Sequence, residues 1–356
     1  MKKGITKILS ACVFAFVVFL AAGTQSKAAV NMGVKQTGAG SSYVNLAWDA
    51  QLGAGHYHTQ FSQDGKNWID MDNSSSPSES VYNLTQGASY YARVVAYKDS
   101  HYMGTHVMVG VSETAIVSTE PTEVSGLTQT AAGVNSVSMS WNASAGAASY
   151  VIYGYINYNW TQIGTSATNS ATITGVAATT STKFSVAAVK NVTGGTVTGD
   201  QCSGVEMKAI PIKVSRIAMQ YYWDSLKEAK YIWTDVNNAD GYQYEVKSAN
   251  GKKTYFRATS TNSYTYVKPF PRGIFVKARV RAYVTVGNKV YYGAWSPYTY
   301  HASSKKVTAK RSSNGKKIYL KWKKVSGASG YQVYVSTKSN GGFKKVKSLS
   351  SKKSTI

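Results

Sequence analysis

A tryptophan followed nine residues later by a tyrosine occurs four times in this chain, as Trp48/Tyr57, Trp141/Tyr150, Trp233/Tyr242 and Trp322/Tyr331. Alternating apolar runs flank each pair. Val44-Leu46-Trp48, Val137-Met139-Trp141, Ala229-Tyr231-Trp233 and Ile318-Leu320-Trp322 lead in. Tyr57-Thr59-Phe61, Tyr150-Ile152, Tyr242-Tyr244-Val246 and Tyr331-Val333-Val335 lead out. A period of two places such side chains on one face of a half-buried strand. The tryptophans stand 93, 92 and 89 residues apart, the size of one compact all-β unit, so the chain reads first as a tandem repeat.

Lys2, Lys3 and Lys7 precede an apolar run from Ile8 to Ala22, and small residues follow as far as Ser26-Lys27-Ala28. The run is short for a membrane span, and the pattern predicts a secretory signal over residues 1–28, cleaved after Ala28. Leu9-Ser10-Ala11-Cys12 has the letters of a lipoprotein box but lies at the front of the apolar run, which argues against that reading. After cleavage Cys202 is the one cysteine, so no intrachain disulfide can form and the units must hold by packing alone.

The repeat divides the mature chain into units at 29–118, 119–209 and 210–304, with 305–356 forming the N-terminal part of a fourth. Unit one is expected to begin with a strand near Met32 to Thr37. Its hairpin turn is Asp64-Gly65-Lys66, and the returning strand carries Trp68. Gly126-Leu127-Thr128-Gln129-Thr130 echoes Gly33-Val34-Lys35-Gln36-Thr37 at the same 93-residue offset, and Trp160 takes the place of Trp68. In unit three, Asn250-Gly251-Lys252 makes the turn, and Val280 and Ala282 point inward with Arg279 and Arg281 outward. The expected fold is all-β, with each complete unit made of about seven short strands in two facing sheets.

The Trp-to-Tyr spacing, the Leu84-x-x-Gly87-x-x-Tyr90 corner with Val94-x-Ala96, and the Gly293-x-Trp295-Ser296 segment resemble fibronectin type III domains. They are most similar to the tandem copies secreted by Gram-positive bacteria. The resemblance spans about residues 30–350 and implies tandem immunoglobulin-like β-sandwiches. It also implies that Tyr90 makes a tyrosine corner, its hydroxyl bonding nearby backbone; Thr182 and Val276 stand at that place in units two and three. Trp48, Tyr57, Tyr90, Trp141, Tyr150, Trp233, Tyr242, Trp322 and Tyr331 are therefore expected in the cores. Unit four has Trp322, Tyr331, the Asn340-Gly341-Gly342 turn and Phe343, but no counterpart of the Tyr90 strand. Either it is partly disordered, or the chain is a shortened version of a longer protein.

Charge divides the molecule. Residues 29–210 carry 7 Lys and Arg against 11 Asp and Glu, whereas residues 211–356 carry 29 against 5. Residues 305–356 hold 15 basic side chains and no acidic one. Lys305, Lys306, Lys310, Arg311, Lys316, Lys317, Lys321, Lys323, Lys324, Lys344, Lys345 and Lys347 are the candidate polyanion-binding set, with Lys321 and Lys323 expected to point outward beside Trp322. Outward lysines on successive strand positions attract polyanions and also block edge pairing. Trp68 and Trp160, expected on an edge strand, are candidate glycan-stacking rings or shared packing residues.

No catalytic pattern emerges. Asp64 belongs to a turn, Asp70 and Asp72 lie beside a serine-rich loop, and nucleophile-elbow, zincin and phosphate-loop motifs are absent from the sequence. His56, His58, His101 and His106 all fall in unit one and raise the question of a surface zinc or copper site, but their spacing matches no metal motif. No metal or cofactor is assigned. The reading is a secreted, non-catalytic binding and spacer protein, extracellular or associated with a cell wall through its basic half, monomeric, with no transmembrane segment in the mature chain. Its partner would be a cell-wall polyanion or polysaccharide, or another surface protein; nucleic acid is disfavoured because export removes the chain from it. The alternative is an accessory region of a secreted polysaccharide-degrading enzyme whose catalytic domain is not in this chain.

Overall fold

A computed structural model of the chain describes residues 29–99, 106–223, 225–270, 273–302, 307–338 and 341–356. The signal segment, His101, Lys305, Lys306 and Asn340 lie outside the described residues. In unit one the alternation before Trp48 becomes β2 (Val44–Ala47), with Val44 and Leu46 buried. It lies between β1 (Lys35–Ala39) and β5 (Ser78–Val81). The facing sheet runs β4 (Ile69–Ser74), β3 (His56–Ser62), β6 (Ser89–Asp99) and β7 (His106–Val111), with β8 (Ala115–Ser118) also on β6. The strand expected from Met32 starts only at Lys35. Gly33 takes a left-handed φ of 55°, which interrupts extended backbone, while the Met32 carbonyl accepts the Asp49 N–H at 2.6 Å.

Units two and three repeat this order. The elements of unit two are β9 (Thr128–Gly133), β10 (Ser136–Ser140), β11 (Ser149–Ile156), β12 (Asn159–Ser166), β13 (Ser170–Thr174), β14 (Thr182–Val192), β15 (Gly195–Thr198) and β16 (Val205–Met207). Unit three has β17 (Ile217–Trp223), β18 (Glu228–Trp233), β19 (Gly241–Ser248), β20 (Thr254–Ser260), β21 (Tyr264–Val267), β22 (Phe275–Val286), β23 (Lys289–Tyr292) and β24 (Thr299–Ala302). The sheets are β9-β10-β13 with β12-β11-β14-β15, and β17-β18-β21 with β20-β19-β22-β23, every pair antiparallel. The chain is thus an all-β tandem of immunoglobulin-like sandwiches with fibronectin type III strand order, the last one incomplete.

The recurring ring pair holds each sandwich in two ways. Tryptophan closes the first sheet, tyrosine opens the second, and their rings meet edge-on at 5.4, 5.3 and 5.5 Å in units one to three and tilted at 5.3 Å in unit four. The tyrosine hydroxyl also accepts a backbone N–H six residues upstream. The donors are Gln51 at 3.0 Å, Ser144 at 3.0 Å, Val236 at 2.8 Å and Val325 at 2.8 Å. One side chain therefore fills the core and fixes the loop between the sheets. Tyr90 makes the corner that the resemblance implied, accepting the Thr85 N–H at 3.1 Å.

Two further ties recur. Gln36 donates to the Ser118 carbonyl at 2.7 Å and accepts the Ser118 N–H at 2.9 Å; Gln129 does the same with Lys208 at 2.8 and 3.0 Å. The echo between these two segments thus fastens the first strand to the end of its own unit. Ser112 Oγ accepts the Val94 N–H at 2.8 Å and Ser296 Oγ accepts the Val280 N–H at 3.0 Å. Cys202 Sγ occupies the same place, accepting from Val186 at 3.3 Å. The buried cysteine stands in for a serine.

Unit four pairs β25 (Thr308–Arg311) with β26 (Ile318–Lys321), and β27 (Gly330–Val335) with β28 (Lys344–Ser350). It departs from the expected pattern at residues 354–356, which run alongside β26. Leu320 and Ile356 exchange N–H···O bonds at 2.9 and 3.1 Å, and the Trp322 N–H donates to Ser354. Trp322 and Tyr331 are half-buried and Phe343 is exposed. Between the two hairpins lies a cleft of about 360 Å³, lined in part by Leu320, Trp322, Tyr331 and Val333. The three large buried clusters among the described residues belong to units one, two and three.

Candidate functional site

The basic residues of units three and four are used differently. On the outer face of β19 and β22, Glu245 is fully buried and receives Arg279 Nε at 2.5 Å, Arg257 Nη2 at 2.6 Å and Lys247 Nζ at 3.1 Å. Burial alone would raise its pKa; hydrogen bonds from Arg257, Lys247 and Arg279 outweigh it and hold the carboxyl at about 2. The remaining guanidinium faces stack on aromatic rings. Arg279 lies over Trp295 and Tyr298 at 4.3 and 4.9 Å, and Arg281 lies over Tyr292 and Trp295 at 3.8 and 4.5 Å. Arg281 further donates to Gln243 at 2.7 and 2.9 Å. The arginines do point outward, with Val280 and Ala282 buried behind them. They form a closed ladder of rings and cations.

Glu245 is also the last carboxylate side chain in the sequence, so the basic residues beyond unit three find no acid within their own segment. Lys310, Arg311, Lys316, Lys317, Lys321, Lys323, Lys324, Lys344, Lys345 and Lys347 are all exposed. They are divided between two hairpins. Lys310 pairs with Tyr319 and Lys321 with Thr308 on one hairpin; Lys347 pairs with Val333 and Lys345 with Tyr334 on the other. Lys323, expected to point outward, lines the cleft. A register shift between Val333 and Tyr334 breaks the alternation on the second hairpin, and that irregularity leaves no mark in composition.

The two edge tryptophans separate. Trp68, immediately before edge strand β4, is half-buried, with Arg93 over its ring at 4.1 Å and Arg93 Nε donating to Gln60 at 2.7 Å. A guanidinium therefore covers one ring face. Trp160 lies on edge strand β12, 39% exposed, edge-on to Tyr155 at 5.3 Å. It is the more available of the two for a flat ligand.

Asp64 and Asp70 of unit one serve structure. Asp64 accepts from the backbone N–H of Asn67 and of Lys66 at 2.8 Å each and from Ser62, bonds that hold its carboxyl well below the usual range. Asp70 accepts from Gln60 at 2.7 Å. His56, His58 and His106, in contrast, are brought together. His56 stacks on Tyr97 at 5.3 Å and meets His58 and His106 at 5.4 and 4.7 Å between centroids. Asp99, which spacing alone did not join to them, accepts from His56 Nδ1 at 2.6 Å and lies 3.7 Å from His106 Nδ1. Burial lowers the pKa of His58, favouring its neutral form.

Compared with known proteins, the chain is similar to the FN1-FN3 domains of chicken CNTN1, a crystal structure. Identity is 15%, the match covers 77% of this chain and 98% of that one, and the TM-score is 0.32. No protein-family model matches the chain, and no curated protein matches it. The fold assignment rests on the strand order and register given above.

Proposed function

We propose that the chain is a secreted, non-catalytic binding and spacer protein that attaches to a polyanionic polymer of a cell envelope through unit four. The observation that carries this reading is the contrast across Glu245. In unit three the cations around Glu245 are held by that carboxylate or by aromatic rings; beyond β24, ten basic side chains of the candidate set stand exposed with no acid in the segment. Exposed like charges on a small unit raise the local concentration of a polyanion, an attraction that salt screens over a Debye length of about 8–10 Å. The leader-like start of the sequence and the tandem repeat favour an exported chain of the kind Gram-positive bacteria secrete. Units one to three then serve as the spacer.

The test is retention of the full chain on immobilised poly(glycerol phosphate) across a salt series. Changing Lys310, Lys321, Lys345 and Lys347 together to Gln should move elution to clearly lower salt. Elution at unchanged salt would rule the attachment out. Trp160 favours a second reading, an accessory glycan-binding region of a polysaccharide-degrading enzyme, because its ring and that of Tyr155 stay partly exposed. That reading requires retention on neutral polysaccharide that Trp160→Ala abolishes.

A further inference from the structure

We propose that His56, Asp99 and His106 of unit one form a binding site for a divalent transition-metal ion. Strand register builds the group. His106 is paired directly with Asp99 across β6 and β7, and His56 is paired with Tyr97 across β3 and β6. Asp99 is two residues beyond Tyr97, so the pleat returns it to the same face, diagonal to His56. Three adjacent strands thus each contribute one donor at one end of the sheet.

The donor atoms converge. One nitrogen from each imidazole and one Asp99 oxygen all lie within 4.8 Å of one another. A metal bonded to nitrogen and oxygen at about 2.0–2.2 Å needs ligand atoms about 3.3–3.5 Å apart, so small side-chain rotations bring the set to coordination distance, the 2.6 Å His56–Asp99 contact opening as the wider ones close. Room for the carboxylate is built into the backbone. A Cβ at Gly55 would fall 2.4 Å from Asp99 Oδ2 and 2.8 Å from its Cγ, so any side chain there would push the carboxylate away. Stacking on Tyr97, 12° from parallel, fixes the His56 ring, and the His56 side chain is 17% exposed. Asp99 and His106 are 60% and 62% exposed, which leaves an entry path. His58, 5.4 Å from His56 between centroids, stands where a fourth ligand could be recruited.

Two imidazoles and one carboxylate suit Zn²⁺ or Cu²⁺; hard ions such as Ca²⁺ and Mg²⁺ prefer an all-oxygen shell. The group has no part in the polyanion attachment proposed for unit four, so each can fail without the other. The experiment is a titration of the full metal-free chain with Zn²⁺, read by calorimetry and by the imidazole NMR signals. The expected result is one saturable site, shifts of the His56 and His106 resonances, and no response to Ca²⁺. His106→Ala and Asp99→Asn should each weaken binding at least about tenfold. Both alter side chains that are more than half exposed, so metal-free melting should match that of the unchanged chain. Absence of saturable Zn²⁺ binding, imidazole signals that do not move, or undiminished affinity in both variants would each overturn the site.

Discussion

At the scale of single residues, the repeated tyrosine does more than fill space. Its ring area is buried in the core, and its hydroxyl is the acceptor for a loop amide that would otherwise lose water without gaining a partner. Tyr150→Phe keeps the ring and removes that acceptor, so unit two should lose about 1 kcal/mol in chemical denaturation. A loss indistinguishable from zero would mean that water replaces the bond. The indole N–H groups of Trp48, Trp141, Trp233 and Trp322 have no partner among the described residues, so tryptophan contributes by area and edge contact. Cys202 presents the opposite case. Ser112 and Ser296 hold the same bond in the neighbouring units, so Cys202→Ser should change stability by less than about 1 kcal/mol. Cys202→Val offers no acceptor to the Val186 N–H and should cost more, a difference that parallel urea melts would read.

At the scale of the strand pair, β19 and β22 differ from their counterparts in a way that makes unit three acid-sensitive. Gln60 and Arg93 occupy in unit one the paired places of Glu245 and Arg279. A neutral amide there satisfies one arginine, whereas the Glu245 carboxylate satisfies three cations. Its pKa falls from an ordinary 4.5 to about 2 on folding. The stabilisation is therefore complete above pH 4.5 and disappears as pH drops towards 2. Glu245→Gln should cost about 3 kcal/mol at neutral pH and flatten the acid limb of unit three's stability profile. An acid limb of unchanged steepness in that variant would contradict this account. Stacked rings, not free charge, characterise this face, and the sequence disclosed only half of that. Alternation showed Arg279 and Arg281 facing outward, but Tyr292 reaches them from the end of β23, and Trp295 and Tyr298 from the connection that follows it. Only the folded β22–β24 region brings those residues together.

At the scale of the whole molecule, the four ring pairs make the sandwiches legible in the sequence, because core positions in a repeat are set by period and spacing alone. Surface sites were less legible, since they depend on which strands neighbour one another. Asp99 joins His56 through a hydrogen bond across 43 residues of sequence, and the lysines of unit four lie on two hairpins, one of them with a shifted register. The charge imbalance was readable; its division into engaged and unengaged cations was not. That division gives a prediction that total charge does not. If attraction to a polyanion followed net charge alone, neutralising any four cations in the basic half would have an equal effect. In the structure Arg257, Arg279, Arg281 and Lys247 are tied to Glu245, Gln243 and aromatic rings, so a polyanion would have to break those contacts to reach them. Lys310, Lys321, Lys345 and Lys347 are exposed in a segment without acids. Replacing the four unit-four lysines by Gln should therefore reduce the salt dependence of polyphosphate binding in proportion to the charges removed. Replacing Arg281 and Lys247 should leave that slope nearly intact while lowering the melting temperature of unit three. Measuring both slopes by calorimetry at several salt concentrations decides between the two accounts, and an equal loss of slope per charge removed in the two variants would return the attraction to net charge.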